Sequence, residues 1–191
     1  MTRSLVRCCL LAIASLVLAA APPAHAGELL ANGDFELTLD QGWTQEIDGS
    51  GYINRSTGLD PDPDYEVLVR KSTGTGFVQL YQRVPCPTTD LEFSASVKIM
   101  ANATSEAWAG ATLRLSYVDY QGFTLGSSNM CARTGRCPWN DSATEHYMEV
   151  PAYAWTDYAF NLNDELQNVP GVNPADIKEI VISLYTVASD C

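Results

Sequence analysis

Three successive runs of the chain alternate apolar and polar residues with a period of two, and this pattern constrains the fold most. They cover residues 77–84, 91–100 and 108–120. Successive side chains of a β-strand point to opposite faces, so each run predicts a strand with one buried and one solvated face. Shorter runs at 65–71, 155–162 and 177–187 predict further strands, with turn residues between them. We expect an all-β antiparallel β-sandwich without long helices.

The polar sides of the three runs form a candidate binding surface. Their members are Gln79, Tyr81 and Arg83, then Ser94, Ser96 and Lys98, then Thr112, Arg114 and Ser116. We expect the three rows to lie side by side on one sheet face. Amide and guanidinium groups suit the hydroxyls of a sugar, and an aromatic ring suits its C–H face. An ordinary solvated sheet face would give the same alternation.

Two tryptophans, one at the start of a predicted strand and one in a predicted loop, form a second candidate set. Trp108 opens a strand, and Trp139 lies in the stretch 121–153, which predicts a long loop with one short strand near 145–150. Both rings are candidates for stacking on a sugar, with packing against the core as the alternative. We assign Trp43 and Trp155 to the core.

Residues 1–26 have the features of a secretory signal peptide. Arg3 and Arg7 supply a basic start, an apolar run follows, and Ala24-His25-Ala26 is a small-x-small cleavage site. An uncleaved anchor helix is the alternative, although the apolar run is short for one. We expect a signal peptide at 1–26, one β-sandwich domain at 27–191, and a secreted protein that is extracellular or periplasmic.

The chain is acidic, which limits its partners. It has 23 Asp and Glu residues against 11 Lys and Arg residues, and a formal net charge of -12 at pH 7. A field of that sign disfavours nucleic acid and anionic membrane surfaces. Neutral glycans, and cations such as calcium, are compatible with it, and a solubilising surface explains most of the charge.

Cysteine usage predicts disulfides. Two of the six cysteines lie in the predicted signal peptide, which leaves Cys86, Cys131, Cys137 and Cys191. An even number in an exported chain favours pairing. Of three possible pairings we favour Cys131–Cys137, which closes a short loop, with Cys86–Cys191 by elimination. A zinc site is the alternative, but the spacing does not fit the usual Cys-x-x-Cys pairs.

The stretch 28–43 predicts a first strand, a turn at Asn32-Gly33-Asp34, and an aromatic anchor at Trp43. The motif Leu-x-Asn-Gly-Asp-Phe-Glu followed by Gly-Trp resembles the start of galactose-binding-like jelly-roll domains. Such domains include many carbohydrate-binding modules of secreted glycoside hydrolases. Residues 77–84 and Trp155-Thr-x-Tyr158 are similar to later strands of that family.

The resemblance also implies a structural calcium ion. Family members often use the carboxylate that corresponds to Glu36, and Asp190 would have to replace their usual partner aspartate. Asp60, Asp62 and Asp64 form a second oxygen-rich candidate, which an extended solvated loop would equally explain. No organic cofactor is expected.

The sequence leaves three functions open. The first is a secreted, non-catalytic protein that binds a poly- or oligosaccharide on a concave sheet face. The second is an extracellular structural or adhesion module that binds protein, and the third is a small polysaccharide-cleaving enzyme on a jelly roll. No Gly-x-Ser-x-Gly motif or Cys–His pairing supports catalysis, and His146 is a lone histidine in a predicted loop. The fold hosts many functions, so the resemblance favours the first only by analogy.

Overall fold

The structure is a computed structural model that describes residues 28–59, 63–103 and 107–189. Within them the chain forms ten strands: β1 (Thr44–Ile47), β2 (Ser50–Ser56), β3 (Glu66–Thr73), β4 (Gly76–Pro85), β5 (Glu92–Lys98), β6 (Trp108–Val118), β7 (Thr124–Arg133), β8 (Glu145–Glu149), β9 (Trp155–Asn161) and β10 (Glu179–Ser189). One short helix, α1 (Leu162–Glu165), and two 3-10 turns, Leu166–Asn168 and Pro174–Asp176, lie between β9 and β10. The predicted signal peptide, Asp60, Asp62, Asp190 and Cys191 lie outside the described residues.

The strands form two layers. One layer is a six-stranded sheet of order β1-β4-β10-β6-β7-β8, in which only the β7–β8 pair is parallel. The pairs β2–β3 and β5–β9 pack against one side of it. The prediction of an all-β sandwich without long helices is therefore confirmed. Among the described residues no helix is long and apolar enough to cross a membrane.

The core lies between the layers and follows the predicted alternation. Leu80, Leu113 and Leu115 of the large sheet are almost fully buried and contact the facing side chains of the smaller pairs. The inward residues predicted for the last strand are also correct, since Ile180 and Ile182 are buried. Among the described residues, the six-stranded sheet thus has one face covered by the smaller strand pairs and one face that no further strand covers.

The segment 28–43 differs from the prediction, because it forms turns and its first strand, β1, begins only at Thr44. The Gln82 side chain replaces a strand partner here. Its Oε1 accepts from Ala31 N at 2.7 Å and its Nε2 donates to Ala31 O at 2.9 Å. Trp43 is buried as expected, and its Nε1 donates to Asn32 O at 2.9 Å.

Two expectations about individual elements were wrong. Residues 124–133, predicted as loop, form the long strand β7 between β6 and the edge strand β8 of the large sheet. Trp155, assigned to the core, is 39% exposed, because it opens β9 on the solvent side opposite Lys98.

Candidate functional site

The candidate site lies on the face of the six-stranded sheet that points away from the core, here called the outer face. Strand pairing places three of the predicted residues, Gln79, Tyr81 and Arg83, on this face of β4, and Arg114 on the same face of β6. Strand β10 runs between them, so that Gln79 is opposite Tyr185, and Ser183 lies between Tyr81 and Arg114. Tyr81 and Arg114 are therefore two inter-strand spacings apart, about 10 Å.

Lys98 does not belong to this face, contrary to the expectation that the three polar rows would adjoin. It lies on β5, which pairs with β9 in the other layer. Strand β4 ends at Pro85, and Pro87 follows in the connection to β5. A proline cannot donate to a strand ladder, so this connection does not make a tight hairpin, and the chain crosses to the second layer.

Arg114 is held rigidly at the centre of the outer face. Its Nε donates to Asn129 Oδ1 at 2.8 Å. Asn129 is fully buried, and its Nδ2 donates to Ser127 Oγ at 2.9 Å and to His146 O at 3.3 Å. The guanidinium carbon lies 4.8 Å from the ring centroid of Tyr185 and 5.8 Å from that of Trp139. Arg114 is thus fixed at one nitrogen and flanked by two aromatic rings.

Trp139 belongs to a loop that folds back onto the outer face. A methyl group at Gly110 of β6 would lie 2.6 Å from Trp139 Cη2, so the ring end rests directly on the glycine. The ring also stacks on Tyr147 of β8, with 5.7 Å between centroids and 16° between planes. Tyr147 is itself buried, and its hydroxyl donates to Glu145 Oε2 at 2.9 Å. Backbone and ring packing hold the half-buried Trp139 in place.

The predicted Cys131–Cys137 disulfide is not formed, since both residues are buried free thiols. The predicted partner of Cys86, Cys191, lies outside the described residues, so that pairing stays a prediction. Cys131 lies within β7, between β6 and β8, and burial raises its pKa to about 11. From Cys131 the strand runs on to Arg133, and Cys137 N bonds to Thr134 O in the turn beyond it. Strand pairing and this backbone hydrogen bond hold the segment from Cys131 to Cys137, without a disulfide.

Tyr185 is the main residue of the site that sequence reasoning missed. Its ring lies 5.8 Å from that of Phe77 and 6.4 Å from that of Trp139. Burial raises the pKa of its hydroxyl, and the nearby guanidinium of Arg114 opposes that change. The signal was present, because Ile182 and Leu184 face inward and the period of two then places Ser183 and Tyr185 outward.

The charges of the outer face single out Arg114. Arg83 forms an ion pair with Glu179 at 2.7 Å, and Arg133 with Glu149 at 2.9 Å. Within residues 28–59, 63–103 and 107–189, no carboxylate forms an ion pair with Arg114. Beside it, the buried hydroxyl of Ser183 has no hydrogen-bond partner in the described part of the chain. Arg114 is therefore available to a bound molecule, whereas the Ser183 hydroxyl is enclosed by neighbouring side chains.

Comparison with known proteins gave matches of structure only. No family model matches the chain, and no curated protein is significantly similar to it in sequence. Two family 11 carbohydrate-binding modules of Clostridium thermocellum superpose on it. The first, from the cellulosomal cellulase Lic26A-Cel5E, is 14% identical over 85% of this chain and 91% of its own, with a TM-score of 0.39.

The second module was solved with a β-1,3-1,4-mixed-linked tetrasaccharide, and is 12% identical over 82% of this chain and 89% of its own, with a TM-score of 0.38. The enzymatically active domain of bacteriophage CBA120 tailspike protein 4 is 13% identical over 85% of this chain, which spans 19% of that one, with a TM-score of 0.43. Since all three scores are below 0.5, neither fold nor function is inferred from these proteins. The resemblance to galactose-binding-like domains stays a prediction.

The remaining tryptophan candidate, Trp108, begins β6 two residues before Gly110 and opposite Ser189. Alternation places it on the outer face, beyond Trp139 at the end of the strand. It is half-buried.

His146 is not part of the outer face. It lies on β8 opposite the buried Ser128, on the inner side, where its Nδ1 is 2.7 Å from Glu165 Oε1. Glu165 is buried and also accepts from Asn168 Nδ2 at 3.1 Å. This contact joins the edge strand β8 to helix α1, which is a structural role.

The calcium expectation rests on Glu36, whose Oε1 accepts from Tyr65 N at 3.1 Å. Its expected partner Asp190 lies outside the described residues, as do Asp60 and Asp62 of the second candidate. In the part of the chain that the structure describes, no three His, Cys, Asp or Glu side chains converge to hold a metal ion. The calcium site therefore stays a prediction.

Proposed function

We propose that the protein is a secreted, non-catalytic carbohydrate-binding protein that holds a poly- or oligosaccharide on the outer face of its six-stranded sheet. The observation that carries the proposal is the environment of Arg114. Its guanidinium lies beside the rings of Tyr185 and Trp139, is bonded to Asn129, and forms no ion pair among the described residues. In so acidic a chain, an unpaired and preorganised arginine indicates a ligand.

The chemistry of the face suits a saccharide. A pyranose has an apolar C–H face, which can lie on Tyr185 or Trp139, and a polar rim of hydroxyls. The free nitrogens of Arg114 are donors for that rim, and Gln79 and Tyr81 add groups that both donate and accept. Neither Gln79 nor Tyr81 makes a side-chain hydrogen bond within the described residues, so both are free for the ligand.

Charge favours a neutral saccharide. The formal net charge of -12 repels polyanions at long range, and Arg114 alone cannot offset it. Affinity should be modest, since an open face exchanges hydrogen bonds to water for hydrogen bonds to protein with small net gain. Aromatic stacking should then supply much of the net affinity.

A glycan array followed by calorimetric titration of the hits tests the proposal. We expect a neutral oligosaccharide to bind, and Arg114→Gln to weaken it roughly tenfold or more, because hydrogen bonds to a charged donor contribute about 1.5–3 kcal/mol. The matched control is Arg70→Gln, since Arg70 is exposed on β3 in the other layer. We expect that change to leave the affinity within about twofold of wild type.

Three outcomes would contradict the proposal. Binding that survives Arg114→Gln unchanged would place the site elsewhere on the molecule. A folded protein that binds no saccharide would favour the adhesion module. Release of new reducing ends during the titration would favour the polysaccharide-cleaving enzyme.

A further inference from the structure

The side chain of Arg55 on β2 reaches the N-terminal turn segment and binds two backbone carbonyls there. Its Nε donates to Phe35 O, and its Nη2 donates to Glu36 O at 2.8 Å. The guanidinium carbon lies 3.2 Å above the ring centroid of Tyr65. One cation therefore contacts two adjacent carbonyl oxygens and an aromatic face.

Glu36 completes this arrangement from the other side. Its Oε1 accepts from Tyr65 N at 3.1 Å. Tyr65 therefore contacts Arg55 through its ring and the turn segment through its backbone N–H. Phe35 has φ of 58°, a left-handed conformation that costs free energy in a bulky residue and persists only where its surroundings enforce it. The hydrogen bond from Arg55 to Phe35 O is one contact that enforces it.

These oxygens are the kind that a calcium ion uses, namely carbonyls and a carboxylate. Two of them already accept from a guanidinium, which brings its own positive charge to the place where the ion would bind. A divalent cation at these carbonyls would lose the hydrogen bonds of Arg55 and meet a like charge. As they stand, the residues around Glu36 do not fit calcium.

We propose that Arg55 is the structural cation of this site, and that the site needs no metal ion. Arg55 joins the turn segment to β2 and to Tyr65, the residue before β3. An arginine suits this task better than a lysine, because its planar fork donates to two acceptors while it stacks on a ring. The proposal is independent of the proposed function, since its readout is thermal and requires no ligand.

Thermal melting of the full chain in excess calcium and in excess chelator is the first test. The wild-type melting temperature should be the same in both. Binding of calcium to the native state alone would raise it by several degrees at a hundredfold excess over the dissociation constant. A lower melting temperature in chelator would overturn the proposal. This test uses the wild-type protein alone, so it does not depend on the folding of any variant.

Substitution of Arg55 is the second test. Arg55→Ala should lower the melting temperature by roughly 5 °C or more, because two charge-assisted hydrogen bonds and one cation–π contact are lost. Arg55→Lys should restore less than half of that loss. The matched control is Arg70→Ala, on β3, the strand paired with β2. This substitution should change the melting temperature by no more than about 1 °C. Equal melting temperatures for the two alanine variants would overturn the proposal.

Discussion

At the scale of single residues, the position of Trp139 depends on the missing side chain of Gly110. The glycine does not have a left-handed backbone, so alanine is compatible with its conformation, and only the ring obstructs it. We predict that Gly110→Ala displaces the Trp139 ring and weakens saccharide binding about fivefold, the equivalent of about 1 kcal/mol of lost stacking. Calorimetric titration measures the affinity, and tryptophan fluorescence detects the displacement of the Trp139 ring.

The control for this prediction lies in the same loop. A methyl group at Gly135 would meet nothing within 4 Å, so Gly135→Ala should leave both the fluorescence and the affinity unchanged. If Gly110→Ala bound as tightly as wild type while the fluorescence showed a moved ring, Trp139 would have no part in binding.

At the scale of elements, a buried hydroxyl pair joins the neighbouring strands β6 and β7. The hydroxyls of Tyr117 and Ser128 are 2.7 Å apart, and both residues are fully buried. Burial raises the pKa of Tyr117 well above its ordinary value. Burial likewise raises the pKa of Cys131, on the same strand β7, from 9.0 to about 11.

These shifts predict a loss of stability in alkali. Above pH 9 the folded protein keeps protons that the unfolded chain releases, so the free energy of unfolding should fall as the pH rises. The slope is at most about 1.4 kcal/mol per pH unit for each group, first from Cys131 between pH 9 and 11 and then from Tyr117 above pH 10.

Urea unfolding at a series of pH values measures this slope. Tyr117→Phe should reduce the slope above pH 10, whereas Tyr120→Phe should not, since Tyr120 is 79% exposed at the β6–β7 turn. A free energy of unfolding that is constant from pH 8 to 11 would contradict the burial of these groups.

The elements show what the sequence could and could not reveal. Alternation located β4, β5, β6 and β10, because apolar residues face the core in each and polar or aromatic residues point mainly to the other side. It missed β7, whose interior Gly-Ser-Ser-Asn is buried although three of its four residues are polar. Those side chains are buried because they bond to one another and to neighbouring strands, and such partners are invisible in a hydropathy pattern.

Strand neighbours were harder to predict than strands. The pattern fixed which side of β4 and β6 is polar, yet it could not show that β10 runs between them and adds Tyr185 to the site. Register between strands distant in sequence depends on packing of the whole core. For the same reason Lys98 was placed on the wrong layer.

At the scale of the whole molecule, the sandwich separates two tasks. The covered face of the six-stranded sheet supplies the core, and the outer face carries the aromatic rings and the unpaired guanidinium of Arg114. Arg55 ties the N-terminal segment to the smaller layer, away from the outer face. Binding and this part of the stability should therefore respond to different substitutions.

The most direct measurement is a nuclear magnetic resonance titration of labelled protein with the best saccharide from the array. The account predicts that the indole N–H of Trp139, the Nε–H of Arg114 and the backbone amides of β4 and β10 shift with ligand concentration. The resonances of the backbone amides of β2, β3, β5 and β9 should not shift. Shifts confined to those four strands, with Trp139 and Arg114 unmoved, would contradict a binding site on the outer face.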